Sequence, residues 1–446
     1  MTTVDTDTIA AVATPPGQGG IGIVRISGPR ARAIGELMAR GPLQPRVASY
    51  REFIDSDAVI DRGLALYFPR PNSFTGEDVV ELQGHGGPVV MQMLLDATVN
   101  NGARLARPGE FTERAFGNDK LDLVQAEAVA DLIASASVEA ARGALRSLRG
   151  DFSKRVNEID RQILELRVFV EAAIDFPDEE VEFLERGEVG VKLDRLMDRL
   201  EKLLGDGRQG VLLSQGINIA LVGAPNVGKS SLLNRLTGED TAIVTDIPGT
   251  TRDLLHVDLV LDGLPVCLVD TAGIRETVDP VELEGVRRAT AASSGADLVL
   301  EIRDLANPQQ KPALCSDGVA PRLLVLNKVD LVEQAPGKAD AVDGVAAVRV
   351  SCVTQEGFGE LKAEIKRQVG FTGEAGTFSA RRRHLAALES TRLAIERVRT
   401  ELGASSHGEI IAEELKLAHL ELGGITGEVT PDQLLGEIFA TFCLGK

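Results

Sequence analysis

Gly223-Ala-Pro-Asn-Val-Gly-Lys-Ser230 decides the fold of the middle of the chain. It directly follows the apolar run Ile217-Asn-Ile-Ala-Leu-Val222 and precedes the helical pattern Ser231-Leu-Leu-Asn-Arg-Leu236. A strand, a loop that fits G-x-x-x-x-G-K-[ST] and a helix, in this order, predict a phosphate-binding loop. Its glycines let backbone N–H groups wrap the phosphates, Lys229 reaches the β- and γ-phosphate oxygens, and the Ser230 hydroxyl is a ligand for Mg²⁺.

Two further motifs follow short apolar runs and identify the nucleotide. In Asp270-Thr-Ala-Gly273 the Asp270 carboxylate occupies the position from which a carboxylate supports the ligands of bound Mg²⁺, and the N–H of Gly273 can donate to the γ-phosphate. In Asn327-Lys-Val-Asp330 the Asp330 carboxylate can accept two hydrogens from the N1/N2 edge of guanine. Adenine offers no such pair, so the motifs predict GTP rather than ATP.

Two loops complete the predicted site. Thr245-Asp-Ile-Pro-Gly-Thr-Thr-Arg-Asp253 lies between the first two motifs, and its Thr251 can give Mg²⁺ a hydroxyl. Ser351-Cys-Val-Thr354 stands where the last base-contacting loop of a GTPase is expected, without the usual lysine at its third position. The candidate GTP-binding residues are Asn226, Val227, Gly228, Lys229, Ser230, Ser231, Thr245, Asp246, Ile247, Pro248, Gly249, Thr250, Thr251, Asp270, Thr271, Ala272, Gly273, Asn327, Lys328, Asp330, Ser351, Cys352 and Val353.

The residue that orients the attacking water is not at its common place. Ile274 follows the Asp270–Gly273 motif where a glutamine is often found. Glu282 and Glu284 are the nearby candidates, and from the pattern alone they are equally interpreted as exposed acids at the start of a helix.

Composition limits the classes of function. The chain has 446 residues, a net charge of −19 and few aromatic residues, so it is not a nucleic-acid binder that acts by bulk electrostatic attraction. Arg381-Arg-Arg383 is a local basic cluster in this acidic chain, so any RNA contact would have to be local. The four cysteines form no C-x-x-C pair, the acidic start does not fit a signal peptide, and no apolar run spans a membrane. These features predict a reducing cytosol.

The pattern of strands and helices predicts three domains, one of them discontinuous. Residues 1–120 are mixed α/β in pattern, residues 216–370 alternate buried strands with helices, and residues 121–215 and 371–446 are helical. The helical stripe runs from Val156 to Ile174 and ends at Asp175-Phe-Pro177. The predicted fold class is therefore α/β and all-α multidomain, with a Ras-like P-loop domain inserted into a helical domain.

The whole chain resembles the bacterial MnmE (TrmE) family of tRNA-modification GTPases. The stretches that carry the resemblance outside the nucleotide motifs are Thr14-Pro-Pro-Gly-Gln-Gly-Gly20, Pro71-Asn-Ser-Phe-Thr-Gly-Glu-Asp78, Glu81-Leu-Gln-Gly-His-Gly-Gly87, Arg107-Pro-Gly-Glu-Phe111, Asn118-Asp-Lys-Leu-Asp122, Asp175-Phe-Pro-Asp-Glu-Glu180, Arg381-Arg-Arg-His384 and Phe442-Cys-Leu-Gly-Lys446. The terminal C-x-G-K and the inserted domain are the most specific of these features, since other GTPases share only the middle third.

The resemblance implies the chemistry. Members of this family work with an FAD-containing partner, MnmG, and a tetrahydrofolate derivative (5-formyl- or methylene-tetrahydrofolate) to add an aminomethyl or carboxymethylaminomethyl group at C5 of the wobble uridine, position 34, of certain tRNAs. The N-terminal domain would bind the folate through Arg25, Glu81, Lys120 and Lys446 and form a constitutive homodimer in the bacterial cytoplasm. Without the resemblance, Arg25 is equally a surface charge, and Glu81 and Lys120 equally belong to solvated salt bridges.

The resemblance also implies potassium-stimulated hydrolysis on dimerisation of the GTPase domains. Asn226, Thr245, Ile247 and Thr250 would hold K⁺, which supplies positive charge at the transition state. The candidate catalytic residues are Lys229, Glu282, which would activate the water, and Cys443 near the folate. From the residues alone, Asn226 is equally a loop-stabilising amide and Cys443 a small buried hydrophobe.

Two other classes of function are open to this sequence. A GTPase switch that acts as a ribosome-assembly factor is the first alternative, but the sequence shows no appended RNA-binding module. A helical dimerisation scaffold with a vestigial site is the second, and the intact Lys229, Ser230, Asp270 and Asp330 disfavour it.

Overall fold

The computed structural model describes residues 7–175, 186–239, 255–270, 295–307, 309, 320–373, 377–403, 408–428, 432–442 and 445. The chain forms two compact units. The first consists of Met1–Ala130, Leu148–Leu196 and Ser390–Lys446, and the second of Asp131–Ser147 and Met197–Glu389. Among the described residues, no helix is long and apolar enough to cross a membrane.

Within the described part of the first unit, six strands form a sheet in the order β3-β4-β5-β2-β1-β6. Neighbouring strands are antiparallel except for β1 and β6, which are parallel. The strands are β1 Ile9–Val12, β2 Gly19–Ser27, β3 Ser49–Asp55, β4 Ala58–Phe68, β5 Val79–Gly86 and β6 Arg104–Leu105.

Helices cover one face of this sheet. The helices α1 (Ala31–Met38) and α2 (Pro88–Asn100) bury Ile34 and Leu94 against the strand residues Val24 and Leu82. Alternate residues of the same strands lie on the other face, where Ile21 and Tyr50 are 67% and 69% exposed. One face of the sheet is therefore packed by helices, whereas the other is covered by Phe74 and Phe111 around Arg25 and is open around Tyr50 and Ile21.

The rest of the first unit is helical. Its long pair is α6 (Asp151–Asp175) and α11 (Gly408–Thr426), which contact each other along their length. Phe439 of the last helix, α12 (Asp432–Ala440), packs with Leu123 and Ala126 of α4. The other helices of the described residues are α3 Glu110–Gly117, α4 Leu123–Ile133, α5 Val138–Leu148, α7 Arg186–Gln215, α8 Lys229–Glu239, α9 Phe358–Gln368 and α10 Arg382–Gly403.

The described part of the second unit is built on a seven-stranded sheet in the order β12-β13-β11-β10-β7-β9-β8. The five central strands, β13 to β9, are parallel, and the two edge strands, β12 and β8, are antiparallel to their neighbours. The strands are β7 Ile217–Gly223, β8 Leu255–Leu261, β9 Leu264–Asp270, β10 Leu298–Asp304, β11 Arg322–Asn327, β12 Gly337–Val342 and β13 Val345–Arg349.

A tight turn joins β8 and β9. Asp262 and Gly263 have φ values of +46° and +91°, the paired positive values that a two-residue hairpin turn requires. The hydroxyl of Ser137 donates a hydrogen bond to the carbonyl of Gly263 at 3.0 Å and accepts one from the N–H of Ala140 in α5. Lys366 of α9 forms an ion pair with Asp262 at 2.6 Å. Both contacts tie this hairpin to helices of the second unit.

The predicted fold class is confirmed, and most predicted elements are present. The stripe from Val156 is α6, and its residues Val156, Ile159, Ile163, Leu166 and Val170 are buried. The predicted end of this helix at Asp175-Phe-Pro177 extends outside the described residues and stays a prediction. The stretch Gly84-His-Gly-Gly-Pro88 has the composition of a turn, and that pattern predicts the end of a strand at Gly84; the prediction is wrong, because β5 continues through Gly84 to Gly86. Gly86 pairs with Gly19 of β2, and a Cβ at Gly86 would lie 2.7 Å from the carbonyl oxygen of Gly19, so the glycines permit a close backbone approach.

A buried ion cluster holds α3 against the first sheet. The side chain of Glu110 is 1% exposed and accepts hydrogen bonds from Arg104, Arg114 and the backbone N–H of Arg107. Burial alone would raise the pKa of Glu110, but these donors outweigh it and lower the pKa from 4.5 to about 2. Glu110 is therefore ionised in the folded protein down to strongly acidic pH.

We expect Glu110→Gln to destabilise the protein by roughly 3 kcal/mol at pH 7, since Arg104 and Arg114 lose the fully buried carboxylate that they share and keep only the more exposed Asp7 and Glu77. The folded pKa lies below the unfolded value, so this stability is fully present above about pH 4.5 and is lost as the pH falls toward 2. Chemical unfolding of the full chain at several pH values measures it. Glu113→Gln on the same helix, where the side chain is 38% exposed, is the control and should change stability by less than about 0.5 kcal/mol. A penalty that stays constant from pH 7 to pH 3 would contradict this assignment.

Candidate functional site

The phosphate-binding loop lies where the strand order of the second sheet changes direction. It connects the end of β7 at Gly223 to the start of α8 at Lys229, and β7 lies between β9 and β10. Ligands of open α/β sheets bind outside the carboxyl ends of the strands at this kind of switch point. The N-terminus of α8 adds free N–H groups at the same place, which favours a phosphate.

The loop needs its glycine at Gly228. This residue has a φ of +102°, and a Cβ there would lie 2.1 Å from Nδ2 of Asn327. Asn226 has a φ of +63° and an exposed side chain at the loop. The loop therefore comes into contact with the Asn327 motif and leaves the amide of Asn226 accessible to a ligand.

Lys229 lies over the loop that precedes it. Its ammonium group donates hydrogen bonds to the carbonyls of Gly223 and Ala224 at 2.6 and 2.8 Å, and the residue is 9% exposed. Ser230 and Ser231 follow at the start of α8 and are exposed. The structure thus places the lysine and both serines at the loop, as the motif predicts.

Asn327 joins the phosphate loop to the base motif. It is the last residue of β11, is 3% exposed, and donates a hydrogen bond from Nδ2 to the carbonyl of Val227 at 2.8 Å. Its Oδ1 accepts the N–H of Cys352 at 3.3 Å. Asp330 lies three residues further on, in a short 3-10 helix, and is exposed. One buried amide therefore brings three separate motifs together.

Lys328 has a partner that sequence reasoning missed. Its ammonium group forms an ion pair with Asp304, at the end of the neighbouring strand β10, at 2.7 Å. Lys328 has a φ of +66°, so its backbone is in the left-handed region. No local sequence signal points to Asp304, because parallel strands bring it next to Asn327 from a distant part of the chain.

The loop after β13 is a compact turn around Ser351. The buried hydroxyl of Ser351 accepts the N–H groups of Val353 and Thr354 at 3.2 and 3.0 Å. Burial raises the pKa of the Cys352 thiol to about 11, so this thiol is neutral at physiological pH. The side chain of Val353 is 75% exposed. The third position of this loop therefore carries an exposed apolar side chain rather than a charged one.

Part of the predicted nucleotide site lies outside the described residues. Asp270 ends β9 at the carboxyl edge of the sheet, and only its backbone is described. The site residues outside the described part are Thr245, Asp246, Ile247, Pro248, Gly249, Thr250, Thr251, Thr271, Ala272, Gly273, Glu282, Cys443 and Lys446, as is the alternative Glu284.

A second cluster of candidate residues lies in the first unit. Arg25 of β2 donates to Oε1 of Glu81 on β5 from Nε and Nη2 at 3.0 and 2.9 Å. The two side chains are 16% and 15% exposed. The guanidinium lies 5.6 and 5.8 Å from the ring centroids of Phe74 and Phe111, and the carbonyl of Gly445 in the C-terminal tail accepts its Nη1 at 3.3 Å. The predicted pair is thus together, beside two aromatic rings that the prediction missed.

Lys120 attaches to the loop that carries Phe74. Its ammonium group donates to the carbonyl of Pro71 at 3.1 Å, and a Cβ at Gly76 would lie 3.3 Å from the Lys120 side chain. Lys120 therefore lies against the loop that carries Phe74, an aromatic neighbour of Arg25. Among the described residues, Lys120 and Arg25 make no direct contact with each other.

The described part of the chain shows neither a separate metal site nor a nucleophilic thiol. No group of three or more His, Cys, Asp or Glu side chains there could hold a metal ion. Neither Cys267 nor Cys352 forms a disulfide, and burial raises the pKa of the Cys267 thiol to about 12. Neither thiol has the lowered pKa of a nucleophile.

The fold and this site together define the class of protein. A phosphate-binding loop at the switch point of a parallel sheet is tied by Asn327 to a motif that ends in Asp330, which can read guanine. The chain is a P-loop GTPase, an enzyme that hydrolyses GTP.

Comparisons with known proteins extend the class to a family. A model described as MnmE helical domain matches residues 123–443, and one described as GTP-binding protein TrmE N-terminus matches residues 8–120. The tRNA modification GTPase MnmE of Legionella pneumophila (strain Corby) is 49% identical over 99% of each chain. The proteins of the same name from Pseudomonas paraeruginosa (strain DSM 24068 / PA7) and Coxiella burnetii (strain RSA 493 / Nine Mile phase I) are 50% identical over 99% and 48% identical over 100% of each chain.

This chain belongs to the MnmE (TrmE) family of tRNA modification GTPases, which confirms the resemblance seen in the sequence. Among solved structures, the G domain of the T. maritima FeoB iron transporter is 27% identical over 34% of this chain and 98% of its own. Its TM-score of 0.24 is too low to compare the folds.

Proposed function

We propose that this enzyme hydrolyses GTP to drive the modification of the wobble uridine of certain tRNAs. The observation that carries the proposal is the link through Asn327, which joins the carbonyl of Val227 in the phosphate loop to the N–H of Cys352 in the base loop. The relatives named tRNA modification GTPase match the whole chain, which supports tRNA as the substrate.

The residues at the phosphate loop fit a Mg²⁺-bound triphosphate. Lys229 already has its ammonium group directed at the carbonyl edge of the loop, and the β- and γ-phosphate oxygens would replace those carbonyls. Ser230 is exposed at the first turn of α8, where its hydroxyl can hold Mg²⁺. Thr251, Asp270 and Gly273 would complete this side of the site, with Mg²⁺ supplying charge at the phosphate oxygens.

The phosphate loop also fits K⁺. The exposed amide of Asn226 offers an oxygen, and Thr245, Ile247 and Thr250 would add the others. Bound there, K⁺ supplies positive charge where an arginine finger acts in other GTPases. Glu282 would orient the attacking water in this enzyme.

We expect GTP turnover in KCl to exceed turnover in NaCl by about 10-fold or more, because Na⁺ does not fit oxygens placed for the larger ion. The measurement is phosphate release at saturating GTP and equal ionic strength. Asn226→Ala should remove the difference between the salts, whereas Asn234→Ala, exposed on α8, should keep it. Equal rates of the wild-type enzyme in the two salts would show that the potassium site is absent.

The Arg25 cluster supports a folate site in the first unit. Arg25 and Glu81 form a largely buried charged pair, and the partly exposed ring of Phe74 adds flat apolar surface on which a pterin ring can stack, with fully buried Phe111 packed beside Arg25. A pterin has ring N–H and amino donors that a carboxylate such as Glu81 accepts. Lys120 and Lys446 would add positive charge for the carboxylates of the glutamate tail, and a bound tetrahydrofolate derivative supplies the one-carbon unit.

The C-terminal tail reaches this cluster. Gly445, with a φ of +86°, lies where a Cβ would be 2.4 Å from the carbonyl of Val12, and its own carbonyl accepts Arg25. Cys443 and Lys446 are two and one residues away in sequence. This supports Lys446 as a folate ligand and Cys443 as a catalytic candidate in the modification.

The face of the first sheet that is open around Tyr50 and Ile21 supports a homodimer through the N-terminal domain. Tyr50 and Leu64 are cross-strand partners on this face, and they and Ile21 are exposed. A second copy of the chain would cover this apolar patch.

Within the basic cluster Arg381–Arg383, the side chains of Arg381 and Arg382 form ion pairs with Asp131 and Asp297. Fewer free charges thus remain there for tRNA, which is consistent with an FAD-containing partner, MnmG, that holds much of the substrate.

The domain division follows the same proposal. Residues 1–120 would be the folate and dimerisation domain, 121–215 and 371–446 the helical domain, and 216–370 the GTPase domain, acting in the bacterial cytoplasm. A GTPase switch in ribosome assembly is the alternative, and no described element outside the GTPase sheet gives it particular support.

A further inference from the structure

The base loop is held from the phosphate-loop helix by an arginine that no motif includes. Arg235 lies six residues after Lys229 on α8, and its side chain is half-buried. Its Nε donates a hydrogen bond to the carbonyl of Cys352 at 3.0 Å, and its Nη2 reaches the carbonyl of Val353 at 3.5 Å. The guanidinium therefore holds two consecutive carbonyls of one turn.

This contact lies where the base loop lacks its usual side chain. Val353 occupies the third position, where many GTPases carry a lysine, and its exposed apolar side chain cannot hold the loop by charge. The loop is instead fastened by backbone groups: Ser351 organises the N–H groups inside the turn, and Arg235 binds the carbonyls outside it. The N–H groups of Ser351, Val353 and Thr354 are bonded inside the loop, so the N–H of Cys352, in a 3.3 Å bond to Asn327, is the donor that this turn can offer to a base.

Arg235 and Asn327 together connect the base loop to both the phosphate loop and the helix that follows it. Asn327 joins the base loop to the carbonyl of Val227 in the phosphate loop, and Arg235 joins the same base loop to the helix that the phosphate loop begins. Cys352 receives both contacts, one at its N–H and one at its carbonyl. The two anchors hold the two peptide groups that flank Cys352, and together they fix the orientation of this residue better than either alone.

We propose that Arg235 is a positioning residue for guanine recognition, which holds the Ser351–Thr354 turn so that the N–H of Cys352, whose bond to Oδ1 of Asn327 is long at 3.3 Å, also meets the 6-oxo group of the base. Asp330 reads the opposite N1/N2 edge, so the two parts of the base are read by separate elements. This inference rests on the proposed guanine site and adds to it the residue that orients the loop facing the 6-oxo group.

The test compares three diphosphates on full-length protein by calorimetry. GDP offers both edges, 6-thio-GDP replaces the 6-oxo group by a poor acceptor, and IDP lacks only the 2-amino group. We expect Arg235→Ala to raise the Kd of GDP about 10-fold and to bring the ratio of the Kd values of 6-thio-GDP and GDP close to 1. The ratio for IDP and GDP, set by Asp330, should stay within about 2-fold.

Catalysis gives a second readout. At saturating GTP the Arg235→Ala enzyme should keep kcat within about 2-fold while KM rises with the Kd, because the phosphate contacts of Lys229 remain. Asn234→Ala, exposed on the same helix, is the matched control and should leave all these values unchanged. Arg235→Gln, which retains one donor, should lie between the wild type and Arg235→Ala, and it carries the test if the alanine variant does not fold.

The outcomes separate this inference from the proposed function. Failure of the wild-type protein to bind GDP would refute the guanine site itself. Normal GDP binding with unchanged 6-thio-GDP discrimination in the Arg235 variants would overturn only the role of Arg235. Loss of both ratios together would show that the residue merely holds the domain together, and would also overturn it.

Discussion

Asp330→Asn is expected to change the nucleotide preference of the enzyme from guanine to xanthine. The Asp330 carboxylate accepts two hydrogens from guanine, whereas an asparagine amide also presents donors, which repel N1–H and the 2-amino group. Loss of two hydrogen bonds of about 1.5 kcal/mol each lowers GTP affinity roughly 100-fold. Xanthine carries an oxygen at position 2, which accepts from the new amide, so XTP binding should improve by a comparable factor.

Competition binding with GTP, XTP and ATP measures this change. Asp340→Asn, an exposed carboxylate on β12, is the control and should leave the GTP and XTP affinities unchanged. The contacts made by Asn327 do not involve the Asp330 side chain, so the loops should keep their arrangement in the variant. Equal loss of GTP and XTP binding would mean that Asp330 supports the fold rather than reads the base.

Glu282→Ala is expected to abolish turnover while GTP binding persists. A positioned carboxylate that orients and activates water contributes about 10²–10⁴-fold to the rate, so kcat should fall by at least about 100-fold. The phosphate and base contacts come from Lys229, Asn327 and Asp330, which the substitution leaves in place. Single-turnover phosphate release and GTP affinity, measured on the same preparation, separate hydrolysis from binding.

Glu284→Ala distinguishes the two acids. The two residues lie in Asp279-Pro-Val-Glu-Leu-Glu284, and the sequence alone allows either to orient the water. The resemblance assigns the role to Glu282, so Glu284→Ala should turn over within about 3-fold of wild type. The reverse pattern would move the role to Glu284.

Local patterns in the sequence predicted the parts of the structure that local physics determines. The phosphate loop needs a strand, a glycine-rich turn and a helix in immediate succession, and β7, the loop at Gly228 and α8 provide them. The apolar stripe of α6 likewise reports a period of 3.6 residues along a single helix. Asp330 follows its strand directly, so its motif could be placed as well.

Distant contacts and weak patterns escaped prediction. The strand β12, Gly337-Lys-Ala-Asp-Ala-Val342, lacks branched or aromatic residues until its end, and it forms because β13 provides a pairing edge. Arg235 binds a loop 117 residues away, and Phe74 and Phe111 flank Arg25 only after the first sheet has folded. Such partners depend on tertiary structure, and a single sequence carries no signal of them.

One measurement tests GTP hydrolysis and tRNA modification together. It is the nucleoside composition of tRNA from cells that lack this protein. We expect the wobble uridine of the substrate tRNAs to lose its aminomethyl or carboxymethylaminomethyl group in those cells, as read by mass spectrometry. The wild-type chain should restore the group, and Lys229→Ala, which leaves the Arg25 cluster of the first unit unaltered, should not. Normal modification in cells without the protein would contradict the proposed function.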